Sequence, residues 1–281
     1  MTAAAPLQRS WDARAAANFV FGGAGAGAIV AAACAGGPGI RPPVILLGLV
    51  LVATGLALVA TELGRPLRAL HVFFHLGGSW MSREALAATL LVPAAIAAVF
   101  GVPGAQWVAA VLAAAFVLSQ AAMLKAAYGI PAWRAPFVVA LIVATALTEG
   151  SGIVLVAASW RGELSALLTV AVGALALVRA VVWLLYRRAL AAIGANDARD
   201  ALTGAGRFLL AAGTAVPLAL AVVATSGVGE SGVRIAAALA GVLAAAGGVF
   251  AKYALVTRAG FRQAYALAHL PVRGARLARG R

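Results

Sequence analysis

The chain has 281 residues, 64% of them hydrophobic and 11% charged, with a formal net charge of +14 and a mean hydropathy of +1.00. Soluble domains carry about 45–50% apolar residues, so this composition excludes an ordinary water-soluble protein. The basic excess does not point to nucleic acid, because the lysines and arginines sit between apolar runs, where they set topology rather than grip phosphates.

A bilayer-spanning helix needs about 20 mostly apolar residues. Eight runs qualify: 17–36, 43–62, 83–103, 105–127, 136–160, 164–187, 207–227 and 233–257. The expected fold is therefore an all-α polytopic membrane protein, a single integral membrane domain over residues 1–281. The first run follows Arg9, Asp12 and Arg14, and no processing site follows it, so it is expected to stay as a span. Its Gly22, Gly23, Gly25 and Gly27 let helix backbones approach closely. A dinucleotide-binding reading of these glycines lacks the preceding strand and the full spacing. Cys34 follows three alanines, as in a lipoprotein site, but reads better as a small buried residue of this span. It is the only cysteine, and an iron–sulfur cluster takes about four.

Gly36-Gly37-Pro38-Gly39 and Pro42-Pro43 separate the first two runs, and Pro103-Gly104 separates the third and fourth. Lys125 and Tyr128 close the fourth run, where snorkelling, belt anchoring and polar contact with a ligand explain them about equally. Glu149 lies near the middle of the fifth run, where a charge is costly, and Arg179 lies in the sixth. At about 1.5 Å per residue their levels differ by roughly 8 Å, which two long side chains could bridge. A structural buried pair and a proton-conducting carboxylate both fit that placement. Gly241, Gly247 and Gly248 of the eighth run are further close-approach positions, and Lys252 near its end is expected to snorkel.

Alternating the runs across a membrane gathers 17 of the 22 lysines and arginines on one side and three on the other; Arg179 and Lys252 fall inside spans. Under the positive-inside rule both termini are expected in the cytoplasm. A helix count changed by one would spoil that split.

The densest chemistry joins the second and third runs. Thr61-Glu62-Leu63-Gly64-Arg65-Pro66-Leu67-Arg68 is followed by His71, His75 and Ser79-Trp80-Met81-Ser82-Arg83-Glu84. Pro66 permits a turn or a short interfacial helix, and Trp80 suits the lipid interface. Glu62, at the end of a span, could take or relay a proton as a general base, and Arg65 could hold it charged. A basic loop with a structural ion pair is the plainer reading. His71 and His75, at i and i+4, share a helical face; with no further ligands nearby, hydrogen bonding at the interface is favoured over a metal. A b-type haem needs axial histidines within spans, and His71, His75 and His269 lie outside them.

The runs Glu-Leu-Gly-Arg-Pro-Leu-Arg and Ser-Trp-Met-Ser-Arg-Glu resemble the NrfD/DmsC/PsrC family of membrane anchor subunits. Lys125 to Pro136 looks like that family's loop after span four, and Ala266 to Gly274 looks like its ending. The resemblance implies two four-helix bundles without haem or iron–sulfur cluster in this chain. It implies anaerobic respiration in a bacterial inner membrane, with electrons passing between a quinone or quinol (menaquinone or ubiquinone) and an iron–sulfur subunit beside a molybdopterin catalytic subunit. Quinone contacts would come from Glu62, Arg65, His71, Lys125 and Tyr128, with Glu62 the proton acceptor. Arg68, Ser79, Trp80, Arg83 and Glu84 would dock the partner, and for Arg68, Arg83 and Glu84 a structural ion pair is the competing role. Glu149 and Arg179 are the proton-pathway candidates. Relatives commonly carry histidine or aspartate at the position of Glu62, which leaves the head-group contact open. A cytoplasmic partner would suit a substrate held inside the cell, such as an acyl-CoA thioester. A secondary transporter and a purely structural anchor are the alternatives. No clear internal repeat favours the transporter.

Overall fold

A computed structural model describes residues 6–61, 66–225 and 229–262, with backbone alone for 66–70 and 224–225. Eight of its helices are long and apolar enough to cross a membrane. They are α1 (Ala13–Ala35), α2 (Arg41–Ala60), α3 (Trp80–Val99), α4 (Ala105–Ala126), α5 (Val138–Arg161), α6 (Ala166–Ala192), α7 (Thr203–Val223) and α8 (Glu230–Thr257). Among the described residues the only β pairing is one isolated bridge, Leu7 to Phe261. This follows from the solvent: in lipid each backbone amide must find its partner within the protein, and a helix supplies that within one segment.

Local chemistry sets the helix ends. Pro42 and Pro43 occupy the first turn of α2, where a missing N–H costs nothing. Ser79 Oγ caps α3 by accepting from Ser82 N at 3.4 Å, and Ser165 Oγ caps α6 by accepting from Leu168 N at 3.1 Å. Gly162 closes α5 at φ 72°, a conformation that favours glycine. Short helices at Pro66–His75, Pro131–Arg134 and Asn196–Ala201 fill connections.

The spans form two groups, α1–α4 and α5–α8, joined through α1, α4 and α5. In α1 and α5, 72% of the apolar window is buried, against 28% in α2 and α7. The first pair is therefore the centre and the second faces outward. Leu46, Leu47 and Val50 of α2, Val108 and Val111 of α4, and Val178 and Val181 of α6 present exposed apolar side chains, the surface a bilayer covers. The protein is multi-pass and its surroundings are lipid.

Glycines bring the central helices together. A Cβ on Gly27 would run into the backbone of Ala146, and one on Gly150 into the backbone of Gly27. Gly152 and Gly241 make the same approach between α5 and α8. Two π-helical turns interrupt the regular backbone, Asn18–Gly22 in α1 and Ala211–Ala215 in α7. Such turns leave carbonyls available to side chains and are frequent at functional sites.

Both described chain ends lie on one face, as an even number of spans requires. Gln8 Nε2 donates to Val256 O at 3.2 Å, and Arg262 N donates to Pro6 O at 2.9 Å. We call this the termini face. Three expectations change here. Cys34, expected to be buried, is exposed near the end of α1, because it lies on the outer side of a last turn whose Ala32 and Ala33 face the core. The third span begins at Trp80 rather than residue 83, so Trp80, Met81 and Ser82, expected in the connection, form the first turn of a helix. The sixth runs to Ala192, five residues past its expected end, because Arg187 and Arg188 extend the helix beyond its apolar stretch.

Candidate functional site

A cavity of about 500 Å³ opens between the termini-face ends of α1, α2, α3 and α4. Its walls are mostly apolar and include Trp11, Phe19, Leu56, Val59, Val72 and Met123. Ser10, Asn18 and Glu84 are its polar groups. An apolar chamber of a few hundred cubic ångströms with a few convergent polar atoms is the usual form of a small-molecule site.

Glu84 is the centre of that polar edge. It sits one turn into α3 and is 3% exposed. Asn18 Nδ2, on the π turn of α1, donates to Glu84 Oε1 at 2.9 Å. Gln120 of α4 holds the same turn, its Nε2 donating to Asn18 O at 2.9 Å. Asn18 Oδ1 and Gln120 Oε1 are buried and accept no hydrogen bond. The carboxyl thus reaches the cavity held by an amide, which can serve it with or without a proton.

A second polar cluster lies at the middle of the membrane-spanning helices. Lys252 Nζ donates to Glu149 Oε2 at 2.5 Å, with the two residues 1% and 0% exposed. Lys252 also donates to Val20 O, in the π turn of α1, at 3.3 Å. Arg179 is fully buried and points to carbonyls, Ala244 O at 2.7 Å and Gly213 O at 2.5 Å, the latter in the π turn of α7. The direct Glu149–Arg179 contact considered from the sequence is therefore replaced by Glu149–Lys252. The snorkelling expected of Lys252 is corrected for the same reason: its ammonium turns inward to an anion rather than outward to water.

The other sequence candidates separate into groups. Glu62 and Arg65 lie outside the described residues, and so does the Arg68 side chain. Val59 and Ala60 before that segment, and Val72 after it, line the cavity. His71 is exposed, with its ring edge-on to Phe74 at 5.4 Å between centroids. Lys125 and Tyr128 are exposed at the end of α4 and do not line the cavity; Arg134 covers the Tyr128 ring at 4.8 Å. Within the docking group, Ser79 is a helix cap and Trp80 is exposed. Arg83 stacks over Trp80 at 4.2 Å and donates to Leu76 O and Gly77 O at 3.0 and 2.7 Å, closing the loop before α3. Glu84 departs from its expected place. It is buried against α1, where the Asn18 amide meets it, and it lines the cavity together with Met81 and Ala85.

Asn18 and Gln120 were missed by a reading that looked for ionisable groups in spans. The available signal was an amide inside an apolar run, which in lipid needs a partner. A smaller cavity of about 270 Å³ lies at the opposite face between α5 and α8. Its Arg234 is already held by Ser159 O and Trp160 O at 2.8 and 3.0 Å.

Compared with known proteins, the chain matches no family model and no curated protein.

Proposed function

We propose that the protein is a quinone-interacting membrane anchor subunit of the NrfD/DmsC/PsrC type, passing electrons between quinone or quinol and an iron–sulfur partner of a molybdopterin oxidoreductase. The observation that carries this reading is the apolar cavity of about 500 Å³ with the buried Glu84 carboxyl group on its wall. Quinone reduction adds two electrons and two protons to a flat apolar ring. The ring needs a dry slot, and its oxygens need a group that can give or take a proton. Glu84 would serve the proton, with Asn18 and Gln120 fixing its position. Glu62 and Arg65 remain candidates for the second ring oxygen.

The exposed Trp80 on the same face would meet the iron–sulfur subunit, with Arg83 stacked on it, a short distance from the cavity. The charge distribution supports a bacterial cytoplasmic membrane with that face and both termini inside. The molybdopterin subunit would then act in the cytoplasm.

One observation favours a second reading, a secondary transporter: Glu149, Lys252 and Arg179 meet at mid-membrane, where transporters bind ions. One experiment separates the two. Quinone-coupled electron transfer is measured in membranes carrying the whole complex, for wild type, Glu84→Gln and Glu62→Gln. Loss of activity in an assembled Glu84→Gln complex, with quinone analogues competing in the wild type, is the expected result. Full activity in Glu84→Gln and collapse in Glu62→Gln would move the head group to the 61–84 connection. No quinone dependence in any variant would leave the transporter reading standing.

A further inference from the structure

The last turn of α5 ends in carbonyls that its own helix cannot use. Two of them are taken by Arg234, one turn into α8: Nε donates to Ser159 O at 2.8 Å and Nη2 donates to Trp160 O at 3.0 Å. Nε and Nη2 form one edge of the guanidinium plane. The other edge, made by Nη1 and the second hydrogen on Nη2, is left over, and such a fork meets two oxygens of one anion. Among the described residues Arg234 makes no ion pair. Its charge is therefore fixed in place by carbonyls and not neutralised.

The guanidinium stands in the cleft of about 270 Å³ between α5 and α8, which Ser159, Trp160, Ser231, Ile235 and Ala238 also line. Glu230, at the head of α8, does not line it. Ser231, Ile235 and Ala238 follow one stripe of α8 at i, i+4 and i+7, with Arg234 beside them. The stripe changes character with depth. Ser231 and Arg234 stand near the start of α8, at the opposite face. Ile235 and Ala238 continue it toward the membrane interior, and Ile235 is 62% exposed. On α5, Trp160 is 77% exposed at the same end, where an indole sits at head-group level. A polar, cationic rim above an apolar slope matches a phospholipid, with its phosphate at the interface and its acyl chain below. Basic residues are scarce on this face, to which the sequence assigns only Arg41, Arg161 and Arg234 of its 22 lysines and arginines.

We propose that this cleft binds the phosphate of a membrane phospholipid in the leaflet at the opposite face. The free edge of Arg234 meets two phosphate oxygens, the Ser231 hydroxyl donates to a third, and one acyl chain runs down past Ile235 and Ala238. The lipid bridges the ends of α5 and α8. This site is independent of what occupies the larger cavity at the termini face.

Native mass spectrometry tests this on the purified full chain, stripped of lipid in detergent. The probes are phosphatidylglycerol, diacylglycerol with the same chains, and glycerol 3-phosphate. One phosphatidylglycerol is expected to bind more tightly than the rest. Arg234→Gln should weaken that event by about tenfold or more, the scale of lost charge-assisted hydrogen bonds. Ser231→Ala should weaken it by about threefold, the scale of one neutral hydrogen bond. Ile235→Ser should weaken it too, and neither of these variants touches the α5 carbonyls, so both separate binding from folding. Wild-type affinity in Ser231→Ala and Ile235→Ser together overturns the site, whatever Arg234→Gln does. Equal retention of diacylglycerol overturns phosphate recognition. Displacement of the lipid by glycerol 3-phosphate at an equal concentration overturns the lipid assignment in favour of a soluble phosphate.

Discussion

Glu84 and Glu149 are both buried glutamates in apolar helices, yet their surroundings are opposite. Glu149 sits at the centre of α5 and is held by an ammonium, with a guanidinium nearby. Glu84 sits one turn from the termini face, on the wall of a cavity, and takes a hydrogen bond from the Asn18 amide. An ammonium favours the charged carboxylate, whereas an amide can hydrogen-bond either form. The first arrangement fixes a charge inside the membrane; the second leaves a proton free to be traded with whatever enters the cavity.

The comparison breaks most severely at Lys252. Lys252→Met strips Glu149 of its ion partner, and losing one member of a buried pair costs about 3–5 kcal/mol. Unfolding in detergent should show this loss, and adding Glu149→Gln should recover most of it. If the single variant is as stable as wild type, the pair does not hold the central helices. At the cavity, Glu84→Gln should lower quinone-coupled turnover by about 100-fold or more, the scale of a lost acid–base group, with little change in the unfolding midpoint. The reverse pattern would make Glu84 structural. Asn18→Leu removes the amide that donates to Glu84, and stranding a buried polar group costs about 1–3 kcal/mol; the same unfolding assay reads it. The smallest effects belong to exposed positions: Lys125→Gln and Tyr128→Phe should each shift stability by less than about 0.5 kcal/mol. Both should leave naphthoquinone affinity unchanged. A clear drop in affinity would place the head group beyond the cavity, toward the end of α4.

Much of this architecture was legible beforehand. Apolar run length is a direct readout of bilayer thickness, which is why eight spans appear where eight runs stand, each boundary moving by only a few residues. The close approaches at Gly25, Gly27, Gly241 and Gly247 were also legible, since small residues in lipid-embedded helices mark contact faces. Glu149 and Arg179 stood out as charges inside apolar runs. Their partners did not. Glu149 and Lys252 are 103 positions apart, and Glu84 and Asn18 are 66 apart. No local pattern encodes which helix faces which at a given depth.

The sequence by itself determined the helices, their number and the even count that brings both termini to one face, because these depend on hydrophobic length and on backbone hydrogen bonding in lipid. Only the tertiary structure decided that Lys252 turns inward, that Glu84 stands on the wall of a cavity, and that α1 carries the carbonyls that take up Gln120 and Lys252. Those choices follow from helix rotation and packing, and in a bilayer they are set by which small residues let two backbones meet.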